Sequence, residues 1–442
     1  MLDYNYRTIL SVAIPLMGST FIQSIVLLTD SSFLSRFGTE EFDAAGNAGL
    51  IYISFFMLLV GLNDGLQIII ARRIGQKKEK SISTVYSSGL LLNVLLAGIL
   101  FLIVQTVIPS LINSTVSNPR LEQLENAYLR VRSYGLFFSF ISLSLIAYLT
   151  AIGKTRIVFL SAFLTAISNI LLDYIFIFGN GQLPPMGIEG AALASNCADI
   201  LSALFLIFSV FIINKRLGYR LLSMVQIRLI SVKKIIGVSF PIMLQGLIAL
   251  MTWAVFFFWI EQMGLFELTV SQNIRSIYFL AFVPIWGFAA TTKTYVSQYL
   301  GNNDFDAIPI IMRRIQLLTL GFLIVFFHGA LLYPEKLISM INPADLYIEK
   351  SASILRFIFG SIIMYGFFSV YFQTISGSGN TRWTLAVEMA SVGVYILFAY
   401  LFIHTFSLDI YWVWSVEYIY FGTMGLASYI YLKKSNWKKK II

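Results

Sequence analysis

Twelve long apolar runs dominate the sequence and restrict the folds that are open to it. Each run is about as long as the 20 residues that an α-helix needs to cross a bilayer. In lipid, only a structure that pairs its own backbone groups is stable, so the runs predict an all-α integral membrane protein. Their approximate bounds are 8–35, 47–71, 84–110, 126–151, 157–179, 187–213, 234–260, 269–292, 310–333, 351–376, 383–405 and 411–432.

The composition agrees with this interpretation and excludes several classes of protein. Of the 442 residues, 58% are hydrophobic and 12% are charged, whereas a soluble domain has about 25% charged residues. The single cysteine, Cys197, excludes a disulfide framework. The two histidines, His328 and His404, lie within apolar runs, where a zinc cluster or a catalytic pair is not expected. We therefore expect neither enzyme activity nor a cofactor.

The placement of charge indicates the orientation in the membrane. The net charge is +9, but most of the 31 basic residues lie in the N-terminus, in the even-numbered loops and in the tail after the last run. Lys and Arg mark the cytoplasmic side of membrane proteins, so both termini are expected in the cytoplasm and no nucleic acid is expected as a partner. The first apolar run is too long for a removable signal peptide.

Prolines and glycines recur at a constant separation of 226 residues. The repeat predicts two parallel six-helix bundles, 1–213 and 234–442, joined by a cytoplasmic linker at 214–233. Two parallel halves with a cleft near the bilayer midplane are typical of alternating-access transporters. The matched prolines predict paired hinges or static kinks in the first and seventh helices. The matched positions are Pro15 and Pro241, Gly38 and Gly264, Gly61 and Gly287, Gly75 and Gly301, and the tetrapeptides 153–156 and 379–382.

Carboxylates within the apolar runs occur in one half and not at the matching positions of the other. An acid at the bilayer centre is costly and needs a reason to be there. We therefore expect cation coupling in the N-terminal bundle. The acids are Asp30, Asp64, Asp173 and Asp199, and their partners at the repeat distance are Phe256, Ala290, Ala399 and Gly425.

Two of these acids and one asparagine are expected to form the core of the coupling site. Asn169 precedes Asp173 by four residues, so both project from one face of a helix, and Asp30 lies deep in the first helix. Their oxygens suit sodium, while two neighbouring carboxyls in an apolar setting also suit one proton, because both cannot easily be charged. Ser195 joins this predicted site. Asp64, Asp199 and Asn196 are secondary candidates.

The second half offers a different set of residues for a substrate cavity. Trp253 and Tyr365 provide aromatic faces suited to flat organic cations. Arg275 is interpreted as the only clearly deep base of the cleft region, and Glu388 as a deep acid. Arg275 and Glu388 either pair across helices or contact substrate, and the aromatic residues either line the cavity or only pack.

Three stretches of sequence resemble the MATE (multidrug and toxic compound extrusion) family, and the resemblance covers nearly the whole chain. They are TDSSFLSRFG at 29–38, NILLDYIFIFGNGQLPPMGIEGAALAS at 169–195 and VPIWGFAATTKTYVSQYLGNND at 283–304. The resemblance implies the MATE/MOP fold, with twelve transmembrane helices in two pseudo-symmetric bundles. It also implies antiport of organic cations against protons or sodium.

The family's motifs carry over to particular residues. Asp30 stands at the helix-one acid, Asn169 and Asp173 match the helix-five pattern, and Ser195 stands where a threonine is usual. Members of the NorM type resemble one another in having acids on helices seven and ten, whereas here Tyr365 occupies the helix-ten position. The chain therefore resembles the DinF-like kind, with coupling in the first half.

These observations together predict a secondary multidrug efflux antiporter in a prokaryotic cytoplasmic (inner) membrane. It is expected to be a monomer that contacts lipid and exports amphipathic small molecules, with a proton favoured over sodium as the coupling ion. The alternative is a flippase for a lipid-linked saccharide, which would favour a basic central cavity. An integral-membrane enzyme is a weaker alternative, because no catalytic set is evident.

Overall fold

The computed structural model is almost entirely helical in the residues it describes, which are 1–181, 183–217, 221, 226–440 and 442. Much of the predicted linker, residues 218–220 and 222–225, lies outside the described residues. The helices of the first half are α1 (Tyr6–Phe37), α2 (Thr39–Gly75), α3 (Glu79–Thr106), α4 (Ile108–Thr115), α5 (Pro119–Arg132), α6 (Leu136–Ala151), α7 (Thr155–Phe178) and α8 (Gly187–Leu217).

The helices of the second half follow the same pattern of long spans and short connections. Most predicted runs are extended by several residues at one or both ends, because helices continue beyond the hydrocarbon core into the interfacial region. The helices of the second half are α9 (Leu229–Met263), α10 (Leu265–Gly301), α11 (Ala307–Phe327), α12 (Gly329–Leu332), α13 (Pro334–Ile341), α14 (Asp345–Gly377), α15 (Thr381–Tyr400), α16 (Ile410–Val413) and α17 (Val416–Lys434).

The predicted membrane fold is confirmed. Within the described residues, eleven helices are long and apolar enough to cross a membrane. The fourth span, Pro119–Ala151, consists of α5 and α6 with one 3₁₀ turn at Ser133–Gly135 between them. The predicted twelfth run, 411–432, is helical mainly as α17, which carries Glu417 and two terminal lysines and is not among these eleven spans.

Packing divides the chain into two units. The first unit comprises residues 18–243, and the second unit comprises residues 1–17 and 244–442. The division differs from the predicted bundles 1–213 and 234–442 at the starts of α1 and α9. The start of α1 belongs to the second unit because Ile9 and Ala13 are buried there in a hydrophobic cluster with Tyr295 of α10 and Ile311 of α11.

The repeated glycines serve equivalent helix crossings in the two units. In the first unit, a Cβ on Gly61 of α2 would lie 2.7 Å from Cα of Met243 in α9. In the second unit, a Cβ on Gly287 of α10 would lie 2.5 Å from Cγ of Met17 in α1. Both positions require glycine because the helices approach closely there, near Pro241 and Pro15 respectively. The sequence repeat therefore reflects duplicated packing.

Candidate functional site

Asp30 on α1 and Asp173 on α7 lie beside the same amide in the first unit. The amide of Asn169 satisfies its neighbours when its nitrogen faces both carboxyl groups. In that orientation Nδ2 donates to Oδ1 of Asp30 at 2.8 Å and to Oδ2 of Asp173 at 3.3 Å. The other end of the amide lies 3.3 Å from Oγ of Ser195 on α8. The structure thus brings together the four residues predicted for the coupling site, and we call Asp30 and Asp173 the carboxylate pair.

The carboxylate pair lies in a largely dry environment. Asp173 is 0% exposed and Asn169 is 1% exposed, while Asp30 and Ser195 are partly buried. Within the described part of the chain, Oδ1 of Asp173 has no hydrogen-bond partner. Two buried carboxyls that share one donor cannot both carry a charge at low cost. This arrangement can therefore hold a proton or another monovalent cation.

The helix spacing explains how the sequence builds this site. Asn169 and Asp173 are one turn apart on α7, and α7 packs along α8, which supplies Ser195. Side chains four residues apart lie on one helical face, as the sequence pattern predicts. No group of three or more His, Cys, Asp or Glu side chains suited to a metal occurs among the described residues.

The secondary candidates lie elsewhere in the first unit. Asp199 and Asn196 on α8 both contact Arg132, with Nη1 of the arginine 2.9 Å from Oδ2 of Asp199 and 2.7 Å from Oδ1 of Asn196. Asp64 is partly buried on α2. Asp199 is thus an ion-paired residue in this structure rather than a member of the carboxylate pair.

Arg132 corrects one expectation from the sequence. Arg275 was expected to be the only clearly deep base of the cleft region, yet it is exposed, whereas the Arg132 side chain is 13% exposed and is enclosed within the first unit. The signal was available, because Arg132 falls inside the predicted apolar run 126–151. A base within a membrane span needs a partner as much as an acid does.

The candidate cavity residues lie together in the second unit among many aromatic rings. Trp253 stacks on Tyr278 with centroids 6.1 Å apart, and Tyr365 stacks on Phe421 at 4.3 Å. The Arg275 guanidinium lies 4.9 Å from the centroid of the Phe257 ring, in cation–π geometry.

Two buried glutamates of the second unit are held by tyrosines. The Tyr420 hydroxyl donates to Glu388 at 2.5 Å, so this glutamate pairs across helices, one of the two alternatives, with a tyrosine as its partner. Glu417 of α17 accepts from Tyr278 at 2.8 Å and from Tyr395 at 3.2 Å. The glutamates are 2% and 1% exposed. The tyrosine partners could not be found from the sequence, because nothing distinguishes these three from the other tyrosines among the 23 of the chain.

Comparison with known proteins gives matches over almost the whole chain. The model of the MatE family matches twice, at residues 15–175 and 241–401, which are related by the predicted separation of 226 residues and confirm the repeat. "Probable multidrug resistance protein NorM" of Thermotoga maritima is 24% identical, over 99% of this chain and 94% of that protein. "Probable multidrug resistance protein YoeA" of Bacillus subtilis is 20% identical, over 99% and 95%.

Solved structures show the same fold. A structure described as the outward-facing conformation of a multidrug resistance MATE family transporter of the MOP superfamily has a TM-score of 0.88. It is 22% identical, with 99% of this chain and 97% of that chain covered. A MOP superfamily transporter from Pyrococcus furiosus has a TM-score of 0.86 at 22% identity, over 98% and 97%. The predicted MATE/MOP fold is confirmed by these similarities.

Proposed function

Because the chain belongs to the MatE family, whose members are membrane transporters and not enzymes, we propose that it exports amphipathic organic cations in exchange for protons. The observation that carries this proposal is the carboxylate pair bridged by Asn169. The export of drug-like compounds is supported by relatives that are named multidrug resistance proteins.

The coupling step takes place at the carboxylate pair. When the site is empty, two negative charges lie close together in a dry setting, and this state is unfavourable. A proton that binds to one carboxyl removes that repulsion, and the remaining carboxylate accepts hydrogen bonds from Asn169. Loading and release therefore change the local electrostatic energy, as an ion-driven cycle requires.

The orientation of the Asn169 amide favours a proton over sodium. In the orientation that satisfies its neighbours, the amide nitrogen faces Asp30 and Asp173, and the amide then donates to both carboxyls and presents no oxygen between them. A sodium ion needs several oxygens around it, and the amide would have to turn to supply one. A proton on Asp173 fits this arrangement, since its Oδ1 has no hydrogen-bond donor among the described residues.

The substrate is proposed to contact the aromatic residues of the second unit. Trp253 and Tyr365 each stack one ring face on another aromatic ring, and their opposite faces are proposed to attract flat cations. Glu388 supplies a carboxyl within the same unit. Arg275 would disfavour a second positive charge on the substrate. Amphipathic monovalent cations therefore fit this set of residues.

The conformational change is proposed to use the prolines of α1 and α9. Pro15 and Pro241 each remove one backbone hydrogen bond from a long helix. Each proline lies two residues before the point at which its helix passes from one unit into the other. Bending there during the alternating-access cycle would move Asp30, which is on the part of α1 that follows Pro15.

The distribution of basic residues and the identity of the relatives support a membrane location and an orientation for the chain. The basic residues of the even-numbered loops and the tail support a cytoplasmic location for both termini. The bacterial relatives support a prokaryotic cytoplasmic membrane. We propose a monomer surrounded by lipid, with small molecules as its substrates.

The test is efflux of a fluorescent organic cation from proteoliposomes with the pH and sodium gradients imposed separately. Efflux driven by a pH gradient in potassium buffer is expected. Efflux that needs sodium at equal pH, and that vanishes when potassium replaces sodium, would overturn the proton assignment. Absence of efflux under both gradients would overturn coupled export.

A further inference from the structure

Arg132 is part of a hydrogen-bond network where α5, α6 and α8 meet in the first unit. Arg132 is the last residue of α5, and its side chain extends to α8. There Nη1 donates to Oδ1 of Asn196 at 2.7 Å and to Oδ2 of Asp199 at 2.9 Å. Asn196 returns a hydrogen bond from Nδ2 to the backbone oxygen of Val131 at 2.7 Å. Ser139 of α6 donates to the same oxygen of Asp199 at 3.2 Å. The guanidinium and its acceptors therefore hold one another in place.

The surrounding backbone leaves room for this interaction. A Cβ on Gly135 would collide with Nη1 of Arg132 and with Oδ1 of Asn196. On its other side, Cζ of Arg132 lies 4.3 Å from the centroid of the Tyr52 ring on α2. Glycine at 135 and an aromatic face at 52 are the features that such a guanidinium site needs.

The arginine lies next to the carboxylate pair. Ser195, which contacts Asn169, directly precedes Asn196, which contacts Arg132, so one turn of α8 touches both groups. The charged and titratable groups around the arginine are Asp30, Tyr52, Tyr128 and Asp199. Asp173 lies beyond them, next to Asp30 and Tyr128.

We infer that Arg132 is a positioning residue that tunes the carboxylate pair as a resident counter-cation, with Asp199 holding it away from Asp30. This inference rests on the proposed function, because it assumes that the carboxylate pair binds the coupling cation. Because Asp199 is paired with the arginine, the carboxyls that remain to bind a cation are Asp30 and Asp173. The positive charge of Arg132 beside them then weakens their hold on that cation.

The inference predicts opposite effects for the two members of the ion pair. Without the guanidinium, the carboxylate pair loses a neighbouring positive charge and should bind its cation more tightly. Without the Asp199 carboxylate, Arg132 is released toward Asp30 and should compete with the cation. We expect Arg132→Gln to lower the half-saturating cation concentration roughly tenfold and Asp199→Asn to raise it by a similar factor, within the range of coupling between charged sites.

The experiment measures cation binding by the purified full chain without substrate. Proton uptake is followed with a pH-sensitive dye, and sodium binding is followed by equilibrium dialysis with radioactive sodium. Arg132→Lys keeps the charge and should stay near the wild type. Arg120→Gln is the matched control, since Arg120 lies on the same helix in an exposed ion pair with Glu40.

A double variant keeps the test valid if one single variant fails to fold. Arg132→Gln leaves Asp199 without its partner, and a lone buried charge is strongly destabilising. The double variant Arg132→Gln/Asp199→Asn removes both charges and should bind the cation as tightly as Arg132→Gln. A double variant with wild-type affinity would overturn the inference.

The outcomes separate this inference from the proposed function. If the wild type binds neither cation, the proposed coupling site is wrong. If the wild type binds a cation but the two single variants leave its affinity unchanged or shift it in the same direction, the ion pair only joins α5 to α8. Opposite shifts, with Arg120→Gln unchanged, would support the assigned role of Arg132.

Discussion

Acids are buried in both units, but their partners differ. In the first unit, Asp30 and Asp173 share the single amide of Asn169, and one oxygen of Asp173 has no donor among the described residues. In the second unit, Glu388 and Glu417 each accept from tyrosine hydroxyls of their own. Because the aspartates share one donor while each glutamate has a donor of its own, we expect cation binding to change the energy of the aspartates more.

The comparison also separates packing from chemistry within a duplicated chain. Gly61 and Gly287 occupy equivalent close crossings in the two units. Asp173, in contrast, corresponds at the repeat distance to Ala399, which is buried in an apolar cluster. The repeat therefore preserves helix contacts while the polar sites have diverged, and the two units can have different tasks.

The largest expected effect concerns the carboxylate pair. Asp30→Asn and Asp173→Asn should each reduce ion-driven efflux to the level of protein-free liposomes, because an amide neither ionises nor takes up a proton. The substitutions preserve side-chain shape, so the protein should stay folded in the membrane. Efflux assays with Glu261→Gln, an exposed acid of the second unit, provide the control. Normal active efflux by both aspartate variants would show that coupling does not depend on the carboxylate pair of the first unit.

The next effect concerns the shared packing. Gly61→Ala and Gly287→Ala should each destabilise the protein by about 1–3 kcal/mol, because the added methyl group forces the crossing helices apart. Thermal unfolding in detergent measures this change. Gly46→Ala on α2 is the matched control, since a Cβ there meets no atom within 4 Å. If Gly46→Ala lowers the melting temperature as much as Gly61→Ala, close packing is not the reason for the repeated glycines.

A smaller effect is expected for the glutamates of the second unit. Glu388→Gln should lower efflux less than Asp30→Asn does and should leave efflux dependent on the ion gradient, because glutamine still accepts from Tyr420. The assay is the same efflux measurement under the same gradient. Efflux by Glu388→Gln that no longer depends on the ion gradient would move the coupling site to the second unit.

The smallest effect is expected for Ser195. Replacement by alanine removes one neutral hydrogen bond to Asn169, which is worth about 1 kcal/mol. The half-saturating cation concentration in binding measurements should therefore rise a few-fold, with maximal efflux unchanged. Loss of all efflux in Ser195→Ala would make this hydroxyl an essential ligand rather than a supporting group.

The sequence predicted the fold and the residues of the carboxylate pair well, for physical reasons. Lipid demands long apolar helices, so run length alone identified the spans. Asp30, Asn169 and Asp173 stood out because polar residues are rare within such runs. The four-residue spacing of Asn169 and Asp173 then placed both on one face of α7.

Other features could not be obtained from the sequence. The starts of α1 and α9 pack outside their own halves, which depends on tertiary contacts such as those of Ile9 and Ala13. The partner of Glu388 was Tyr420 because of how α15 packs against α17, and no local pattern shows that contact. Arg132 was missed because the search for deep bases covered only the cleft region of the second half.

Cation binding by purified variants tests the difference between the units most directly. The wild type and the double variant Glu388→Gln/Glu417→Gln should bind the same number of coupling cations at the carboxylate pair, with similar affinity. Asp30→Asn should lose that binding. Retention of full binding by Asp30→Asn, together with its loss in the double glutamate variant, would contradict the assignment of coupling to the first unit.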